Sequence, residues 1–252
     1  MNKLKFSLFL FFYTVTSVSF SADVKGDLGV TLGNEVGSAL SMVGPKYVTV
    51  NMNECHFKIT LKNNQNLLFN VPDVVFYEAE TALKKDNLPY LWQAEMSAGY
   101  DWAFKKRGNL HDKWFGVMCE NSENFSWNNE ALSATKQHEE VTPEQQQIRD
   151  SNDLKCPAKL TNGEWVLNDQ KMNSKNYLFK ALKGTNWNGF IVGYKNNKFK
   201  STLGSVRFCL VHDKKIIVGA SENYSKPLSL PISFFDTIQT SISTIEFLED
   251  KK

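Results

Sequence analysis

Apolar and polar residues alternate along several segments of this chain. The alternation over residues 56–61 is typical of a half-buried β-strand, because successive side chains of a strand point to opposite faces. Residues 189–194 predict another strand. The apolar runs 206–211 and 216–220 flank the polar run 212–215, a pattern that predicts an antiparallel hairpin. These segments together predict antiparallel β-structure.

Two other segments place apolar residues at helical spacing. A helix is predicted over residues 72–85, because Pro72 suits its first turn and the apolar residues after it share one face. That face consists of Val75, Ala79, Ala82 and Leu83. After Pro231, apolar residues recur every three or four positions, which predicts an amphipathic helix over residues 233–245. Its apolar residues are Phe234, Phe235, Ile238, Ile242 and Ile245.

A polar connector separates the two halves of the chain. Residues 126–154 are rich in Asn, Ser, Glu and Gln, and they are predicted to form a linker. Within it, Thr142 can cap a helix, Pro143 suits the first helical position and Gln145 completes a capping box. A short polar helix over residues 143–149 is therefore predicted inside the linker.

The predicted fold class is α+β, with two lobes built from antiparallel sheets and a few packed helices. The first lobe covers residues 22–125 and the second covers residues 155–252. Strands and helices do not alternate strictly along the chain, so a doubly wound parallel sheet is disfavoured.

A faint repeat relates the two halves. Residues 99–105 and 189–195 match in two aromatic positions and a final lysine, and each segment lies at the same distance before a cysteine, Cys119 or Cys209. The match predicts a diverged duplication, in which each half carries its own disulfide. A chance match is the alternative interpretation.

The N-terminus has the pattern of a secretory signal peptide, predicted over residues 1–21. Lys3 and Lys5 form a basic start, an uncharged apolar run follows, and Ser19 and Ser21 supply the small residues of a cleavage site. The apolar run is shorter than the roughly 20 residues that a membrane-spanning helix needs. An uncleaved membrane anchor is the alternative. The signal predicts a periplasmic or secreted protein.

The mature chain contains four cysteines: Cys55, Cys119, Cys156 and Cys209. An even number in an exported chain predicts two disulfides, and four cysteines allow three pairings. The duplication favours Cys55–Cys119 and Cys156–Cys209. A zinc site would need closely spaced cysteines, which the chain lacks, and no metal or cofactor is predicted.

Composition and charge limit the possible functions. The 252 residues are 42% hydrophobic and 13% aromatic, which is a globular composition. The formal net charge of +2 is unlike the strongly basic charge of a dedicated nucleic-acid binder, so nucleic-acid binding is not predicted. Residues 23–150 hold 12 basic and 18 acidic side chains, whereas residues 151–252 hold 15 basic and 9 acidic ones. The basic half could bind an anionic partner or headgroups, or the two halves could simply attract each other.

The histidines provide weak candidates for catalysis. His111 and His212 each precede an aspartate, an arrangement that could orient a general base. On a strand, however, a histidine and the aspartate after it would point to opposite faces. The better interpretation is that these histidines and aspartates are exposed turn residues. The chain lacks a nucleophile elbow and the motifs of penicillin-binding enzymes, and no catalytic residue is predicted.

An aromatic cluster beside a basic triplet is the candidate partner-binding surface. Trp102 and Trp114 are predicted anchors, because tryptophan is favoured at protein interfaces. Lys105, Lys106 and Arg107 lie close to them in an otherwise acidic half. The alternatives are that the aromatics belong to the core and that the triplet is a solvated turn.

In general organisation, the mature chain resembles the periplasmic immunity proteins that neutralise type VI secretion effectors. The resemblance rests on the signal at residues 1–21, the cysteine pairs, and the closing helix at residues 233–245 with Glu246, Phe247 and Leu248 after it. It implies a binding protein that plugs the active site of a toxic enzyme, so the expected partner is another protein. The alternative is an envelope hydrolase or a lipid-binding factor.

Overall fold

The structure is a computed structural model that describes residues 30–33, 38–40, 46–52, 54–70, 73–80, 83–96, 99–105, 113–128, 141–168, 173–199, 201–223 and 226–249. The predicted signal at residues 1–21 lies outside the described residues. None of the helices in the described ranges is both long enough and apolar enough to cross a bilayer.

The described residues form two α-helices, α1 at Pro143–Lys155 and α2 at Ser233–Ile242, together with seventeen strands. In chain order the strands are β1 Val30–Gly33, β2 Ser38–Leu40, β3 Lys46–Met52, β4 Cys55–Leu61, β5 Gln65–Phe69, β6 Asp73–Glu78, β7 Tyr90–Met96, β8 Gly99–Lys105, β9 Trp114–Asn121, β10 Ala158–Thr161, β11 Glu164–Leu167, β12 Tyr177–Lys183, β13 Asn188–Lys195, β14 Thr202–His212, β15 Lys215–Ser221, β16 Leu230–Pro231 and β17 Glu246–Phe247. The prediction of a mixed α+β fold dominated by antiparallel sheet is confirmed.

A nine-stranded sheet forms the centre of the molecule. Its strand order is β12-β13-β14-β15-β9-β6-β5-β2, and β16 pairs with β14 beside this path. Strands of the first half lie on one side and strands of the second half on the other. The two sides meet where β15 pairs with β9, from Lys215 opposite Asn121 to Ala220 opposite Gly116. The two halves therefore share one sheet instead of forming separate lobes.

A four-stranded sheet, in the order β1-β3-β4-β17, covers one face of the central sheet together with α2. The strand predicted at residues 56–61 is confirmed as part of β4. Its alternation has the expected consequence, because Phe57, Ile59 and Leu61 point inward and are fully buried. The inward side chains of β3 and β4 pack with α2 and with one face of the central sheet in a single hydrophobic cluster.

A different set of elements covers the opposite face of the central sheet. The hairpin β7–β8, the end of α1 and the hairpin β10–β11 pack there against side chains such as Val75, Met118 and Phe190. With both faces buried, the central strands carry long apolar runs without clean alternation. The strand predicted at 189–194 and the hairpin at 206–220 are both confirmed within this sheet.

The helix predicted at residues 72–85 is wrong. This segment contains β6, which pairs with β5 on one side and β9 on the other. Val74, Val75, Phe76 and Tyr77 are all buried, because β6 is covered on both faces. Such a short continuous apolar run fits a helix face as well as it fits a buried strand, so periodicity alone could not distinguish them.

The prediction of a helix at the C-terminus is confirmed, but the helix is shorter than expected. It spans Ser233–Ile242, and Glu246 and Phe247 then pair with β4 as strand β17. The chain leaves the helix because this pairing buries Phe247 in the cluster between the two sheets.

The capping box predicted at Thr142 is present, with the Thr142 side chain bonded to the N–H of Gln145 and the Gln145 side chain bonded to the N–H of Thr142. The helix runs beyond residue 149 to Lys155 and packs on the hairpin β7–β8. Its Asn152 side chain accepts a hydrogen bond of 2.9 Å from the indole of Trp102. The end of the predicted linker is therefore part of the folded body.

Both disulfides favoured by the duplication are present, Cys55–Cys119 and Cys156–Cys209. The repeat itself gains no support from the positions of its segments. Residues 99–105 lie in the two-stranded sheet formed by β7 and β8, whereas residues 189–195 lie inside the central sheet. The disulfides pair the two cysteines of each half of the chain, and this pairing does not require that the halves are duplicated units.

Candidate functional site

A cleft lies between the last turns of α1 and the nearby ends of β13 and β14. It has two hollows, which share the side chains of Tyr194, Ser205 and Arg207. The helix-side hollow has a volume of about 680 Å³ and is also lined by Asp150, Asp153, Leu154, Pro157 and Asn168. The loop-side hollow has a volume of about 310 Å³ and is also lined by Lys195, Asn196, Asn197, Gly204, Glu222, Asn223, Lys226 and Pro227.

Strand register explains why these side chains share one face. Tyr194 lies opposite Ser205, and Arg207 follows two residues later on β14, where alternate side chains return to the same face. Cys209 is the next residue on that face, and it is bonded to Cys156 at the end of α1. The disulfide therefore holds the end of the helix against the strand that carries Arg207.

Three charged side chains, Lys155, Arg207 and Glu222, form a cluster at the cleft, of which Arg207 and Glu222 line the loop-side hollow. Glu222 is 5% exposed and Lys155 is 8% exposed. The Lys155 Nζ lies 3.3 Å from Oε1 of Glu222, and the Arg207 Nη2 lies 2.8 Å from Oε2. Arg207 Nε also donates to Oε2 over 2.9 Å. Two cations thus share one carboxylate, and the cluster carries one excess positive charge when all three groups are ionised.

The environment of Glu222 favours its ionised form. Burial alone would raise the pKa of its carboxyl, but the charges and hydrogen bonds of Arg207 and Lys155 outweigh burial. The pKa of Glu222 is consequently held below its usual value. The carboxylate therefore stays charged at neutral pH and can orient both cations.

Arg207 also closes the end of α1. Its Nη1 donates a hydrogen bond of 2.7 Å to the carbonyl oxygen of Leu154, one of the last carbonyls of the helix. The guanidinium carbon lies 5.8 Å from the centre of the Tyr194 ring, within the range of a cation–π contact. Glu222, Leu154 and Tyr194 together hold the guanidinium in one orientation.

The helix-side hollow has acidic residues on its wall. Burial raises the pKa of the Asp153 carboxyl, although its Oδ1 accepts a hydrogen bond of 3.2 Å from the N–H of Ser126. Asp150 accepts a bond of 2.7 Å from Gln146 one turn earlier on α1. Leu154, which is 66% exposed, adds an apolar surface to this part of the cleft. The two hollows therefore differ in the sign of their charge.

The predicted partner-binding tryptophans lie in the core. Trp102 is 0% exposed and Trp114 is 1% exposed, and both pack in the cluster below the hairpin β7–β8. As neither indole is accessible on the described surface, their assignment as partner anchors is corrected to a packing role. Lys105 instead lies 3.6 Å from the centre of the Trp92 ring, which is half-buried. Lys106 and Arg107 lie outside the described residues.

The structure also places one of the two histidine–aspartate pairs. His212 stacks on Phe247 with ring centres 4.9 Å apart, and its Nδ1 lies 2.6 Å from the carbonyl oxygen of Asn186. Asp213 is exposed at the following turn, with its carboxylate 3.9 Å from His212 Nε2. His212 is therefore packed against strand β17. Of this pair, only Asp213 is an exposed turn residue, as predicted. His111 lies outside the described residues.

Sequence reasoning missed the cluster of Lys155, Arg207 and Glu222. A usable signal was present, because Lys155 precedes Cys156 and Arg207 lies two residues before Cys209. That disulfide brings the two segments that carry Lys155 and Arg207 next to each other. Nothing in the sequence marks Glu222 as the anion that they share.

Comparison of the chain with protein-family models, curated proteins and solved structures found no match. Among the described residues, no group of three or more His, Cys, Asp or Glu side chains has the arrangement of a metal site. The candidate site is therefore defined by its geometry and its charges alone.

Proposed function

We propose that this chain is an exported, disulfide-stabilised binding protein and that its partner is another protein, which it contacts through the cleft. The observation that carries the proposal is the construction of the cleft. Its two walls, the end of α1 and strand β14, are joined by the Cys156–Cys209 disulfide and by the buried cluster around Glu222. A surface held in this way loses little conformational entropy when it binds.

The lining of the cleft suits a protein partner. Leu154 and Tyr194 offer apolar and aromatic area, and aromatic side chains are favoured at interfaces. Acidic residues lie at one end and basic residues at the other. A partner with the opposite arrangement of charge would be oriented on approach, since electrostatic complementarity sets register and association rate.

The proposed location outside the cytoplasm rests on two features. The basic and apolar start of the chain has the pattern of an export signal. Two disulfides, with no free cysteine, are typical of proteins that fold in an oxidising compartment. A periplasmic immunity protein that neutralises a toxic envelope-acting enzyme is the specific role that we propose.

Site-specific photocrosslinking in the native host tests the proposal. The photoreactive residue p-benzoylphenylalanine would replace Leu154, which is 66% exposed in the cleft, or Tyr47, which is 62% exposed on the opposite side of the molecule. We expect a discrete protein adduct from position 154 and none from position 47. Equal labelling from both positions, or labelling from neither, would reject the cleft as a protein interface.

The same adduct tests the immunity role. The captured protein would be purified and assayed for cell-wall, lipid or protein hydrolysis with and without the chain. Inhibition at stoichiometric amounts is the expected result. Full activity in the presence of bound chain would reject the immunity role while leaving the binding function intact.

A second candidate function, hydrolysis, is favoured by one observation. Asp153 lines the same hollow as Ser205 and Tyr194, and its raised pKa would suit a general acid. Hydrolysis of p-nitrophenyl acetate by the wild type, lost in Asp153→Asn and kept in the exposed Asp236→Asn control, would support it. A rate equal to that of buffer in the wild type would remove this alternative for ester substrates.

The basic triplet at Lys105, Lys106 and Arg107 stays a prediction as a second contact surface. The contact between Lys105 and the Trp92 ring places an aromatic side chain beside it. Alanine at all three positions should weaken partner binding if this surface takes part. Unchanged affinity would exclude it.

A further inference from the structure

We infer that the loop-side hollow is a binding site for an anionic group, either a carboxylate or a phosphate. The inference rests on the proposed binding function and names the chemistry that one end of the cleft recognises. Three cationic residues, Lys195, Arg207 and Lys226, line this hollow together with one acidic residue, Glu222. The charge of the lining is therefore positive.

The carboxylate of Glu222 does not neutralise this surplus. Its Oε1 accepts from Lys155, and its Oε2 accepts from both Nε and Nη2 of Arg207. One negative charge is thus already shared by two buried or half-buried cations. An anion entering the hollow would meet a net positive floor, in which charge interactions are stronger than in bulk water.

Arg207 is the residue that we expect to contact the anion directly. A guanidinium has five N–H groups, and three contacts to Glu222 and Leu154 use one each on Nε, Nη1 and Nη2. Its two terminal nitrogens each keep one further N–H for a ligand. Because the guanidinium is already oriented, little side-chain entropy is lost when an anion binds.

Lys195 and Lys226 supply the long-range part of the attraction. Lys195 is half-buried and Lys226 is exposed, and neither forms an ion pair with any residue in the described part of the chain. Lys214, by contrast, pairs with Glu123 at 3.0 Å. Two unpaired cations beside an oriented arginine form an arrangement that a carboxylate or phosphate would complete.

The hollow has room for such a group. Its volume of about 310 Å³ exceeds the roughly 30 Å³ that one water molecule occupies in the liquid, so an anion of several heavy atoms fits. Tyr194, Asn196 and Asn197 are also among the residues that line it. The anionic group could be free, or it could be an acidic or phosphorylated side chain of the protein partner.

Calorimetric titration of the oxidised, purified chain tests the inference. The probes are inorganic phosphate, and glutarate as a dicarboxylate, at low ionic strength and matched pH. We expect saturable binding of at least one probe at a single site, weakened as salt is added. Preference for phosphate or glutarate distinguishes a phosphorylated ligand from an acidic one.

Two double variants provide the comparison. Lys195→Ala with Lys226→Ala leaves the buried cluster intact, so the fold should persist. Its control is Lys58→Ala with Lys62→Ala, which removes two exposed lysines on the opposite face of the molecule. The first variant should weaken binding by about tenfold or more, which is the size expected from removing two charge contacts, and the control by less than about twofold.

Two outcomes would overturn the inference. One is the absence of saturable binding of both probes by the wild type, and the other is an equal loss in both double variants. Either outcome would leave the crosslinking result at position 154 unaffected, because that experiment does not use Lys195 or Lys226. Conversely, anion binding without a crosslinked protein would retain the anion site and reject the protein interface.

Discussion

Cys119 and Cys209 lie in adjacent cross-strand rows of the central sheet and point to its opposite faces. Cys209 is opposite Val218, which is opposite Met118, so Cys119 belongs to the next row. Neighbouring residues of a strand face opposite sides, and the two disulfides therefore leave the sheet in opposite directions. Cys119 fastens the four-stranded sheet through Cys55, and Cys209 fastens the end of α1 through Cys156.

Removing one disulfide should loosen only the part that it fastens to the central sheet, either the four-stranded sheet or the end of α1. The replacement of Cys156 and Cys209 by Ala should raise hydrogen exchange in α1, whereas replacement of Cys55 and Cys119 should raise it in β3 and β4. Each bridge spans 53 or 64 residues, and the chain-entropy model assigns about 4 kcal/mol to a loop of that length. Hydrogen exchange measured by mass spectrometry, with urea unfolding, checks both expectations.

The wild-type chain is the control for both disulfide variants. Uniform acceleration of exchange across the molecule in either variant would contradict the assignment of one layer to each bridge. In the variant that lacks Cys156–Cys209, the photocrosslink at position 154 should also weaken, because the wall of the cleft is no longer held.

Glu222 should be critical for stability at neutral pH. Glu222→Gln leaves two cations without their shared anion, and breaking a buried ion pair in this way typically costs about 3–5 kcal/mol. The matched control is Glu123→Gln, which removes the exposed ion pair with Lys214 and should cost less than about 1 kcal/mol. Urea unfolding at pH 7 compares them. Equal costs would show that burial of the cluster has no energetic consequence.

The stabilisation by Glu222 should also disappear in acid. Its pKa in the folded chain lies below the reference value of 4.5, so the unfolded chain takes up this proton first as the pH falls. The contribution is fully present above about pH 4.5 and is lost as the pH falls through the lower, folded value. The contribution of Asp153 to the free energy of unfolding changes with pH in the opposite direction, because its raised pKa makes the folded chain take up the proton first.

Unfolding free energies of the wild type and Glu222→Gln, measured between about pH 3 and pH 7, test this linkage. The difference between the two proteins should shrink as the solution becomes more acidic. A difference that stays constant or grows would mean that the pKa of Glu222 is not lowered in the folded chain. Asp153→Asn in the wild-type background isolates the contribution of opposite sign.

Trp102 should affect folding without contributing a partner contact. Trp102→Phe keeps most of the buried ring but leaves the Asn152 oxygen without its indole donor, inside a region that is fully buried. Losing the partner of a buried polar atom costs about 1–3 kcal/mol. Trp92→Phe, at a half-buried position, should cost less. Reduced partner affinity of folded Trp102→Phe, with unchanged stability, would restore Trp102 as an interface residue.

Local patterns in the sequence determined much of the secondary structure. The alternation at residues 56–61 and the polar turn at residues 212–215 predicted a strand and a hairpin that the structure contains. The capping box at Thr142 predicted the start of α1, because such caps act through atoms only three residues apart. The disulfide pairing was predicted correctly as well, from one cysteine pair in each half.

The tertiary structure alone decided three other features. Residues 73–78 form a strand because both of their neighbours in the sheet, β5 and β9, are available, and no local pattern contains that information. Trp102 and Trp114 are buried because the hairpin β7–β8 and α1 cover one face of the sheet. The cleft exists because residues 155, 207 and 222, far apart in the chain, meet at the end of α1. Side-chain burial and charge pairing depend on these long-range contacts, whereas helix caps and turns depend on neighbours in sequence.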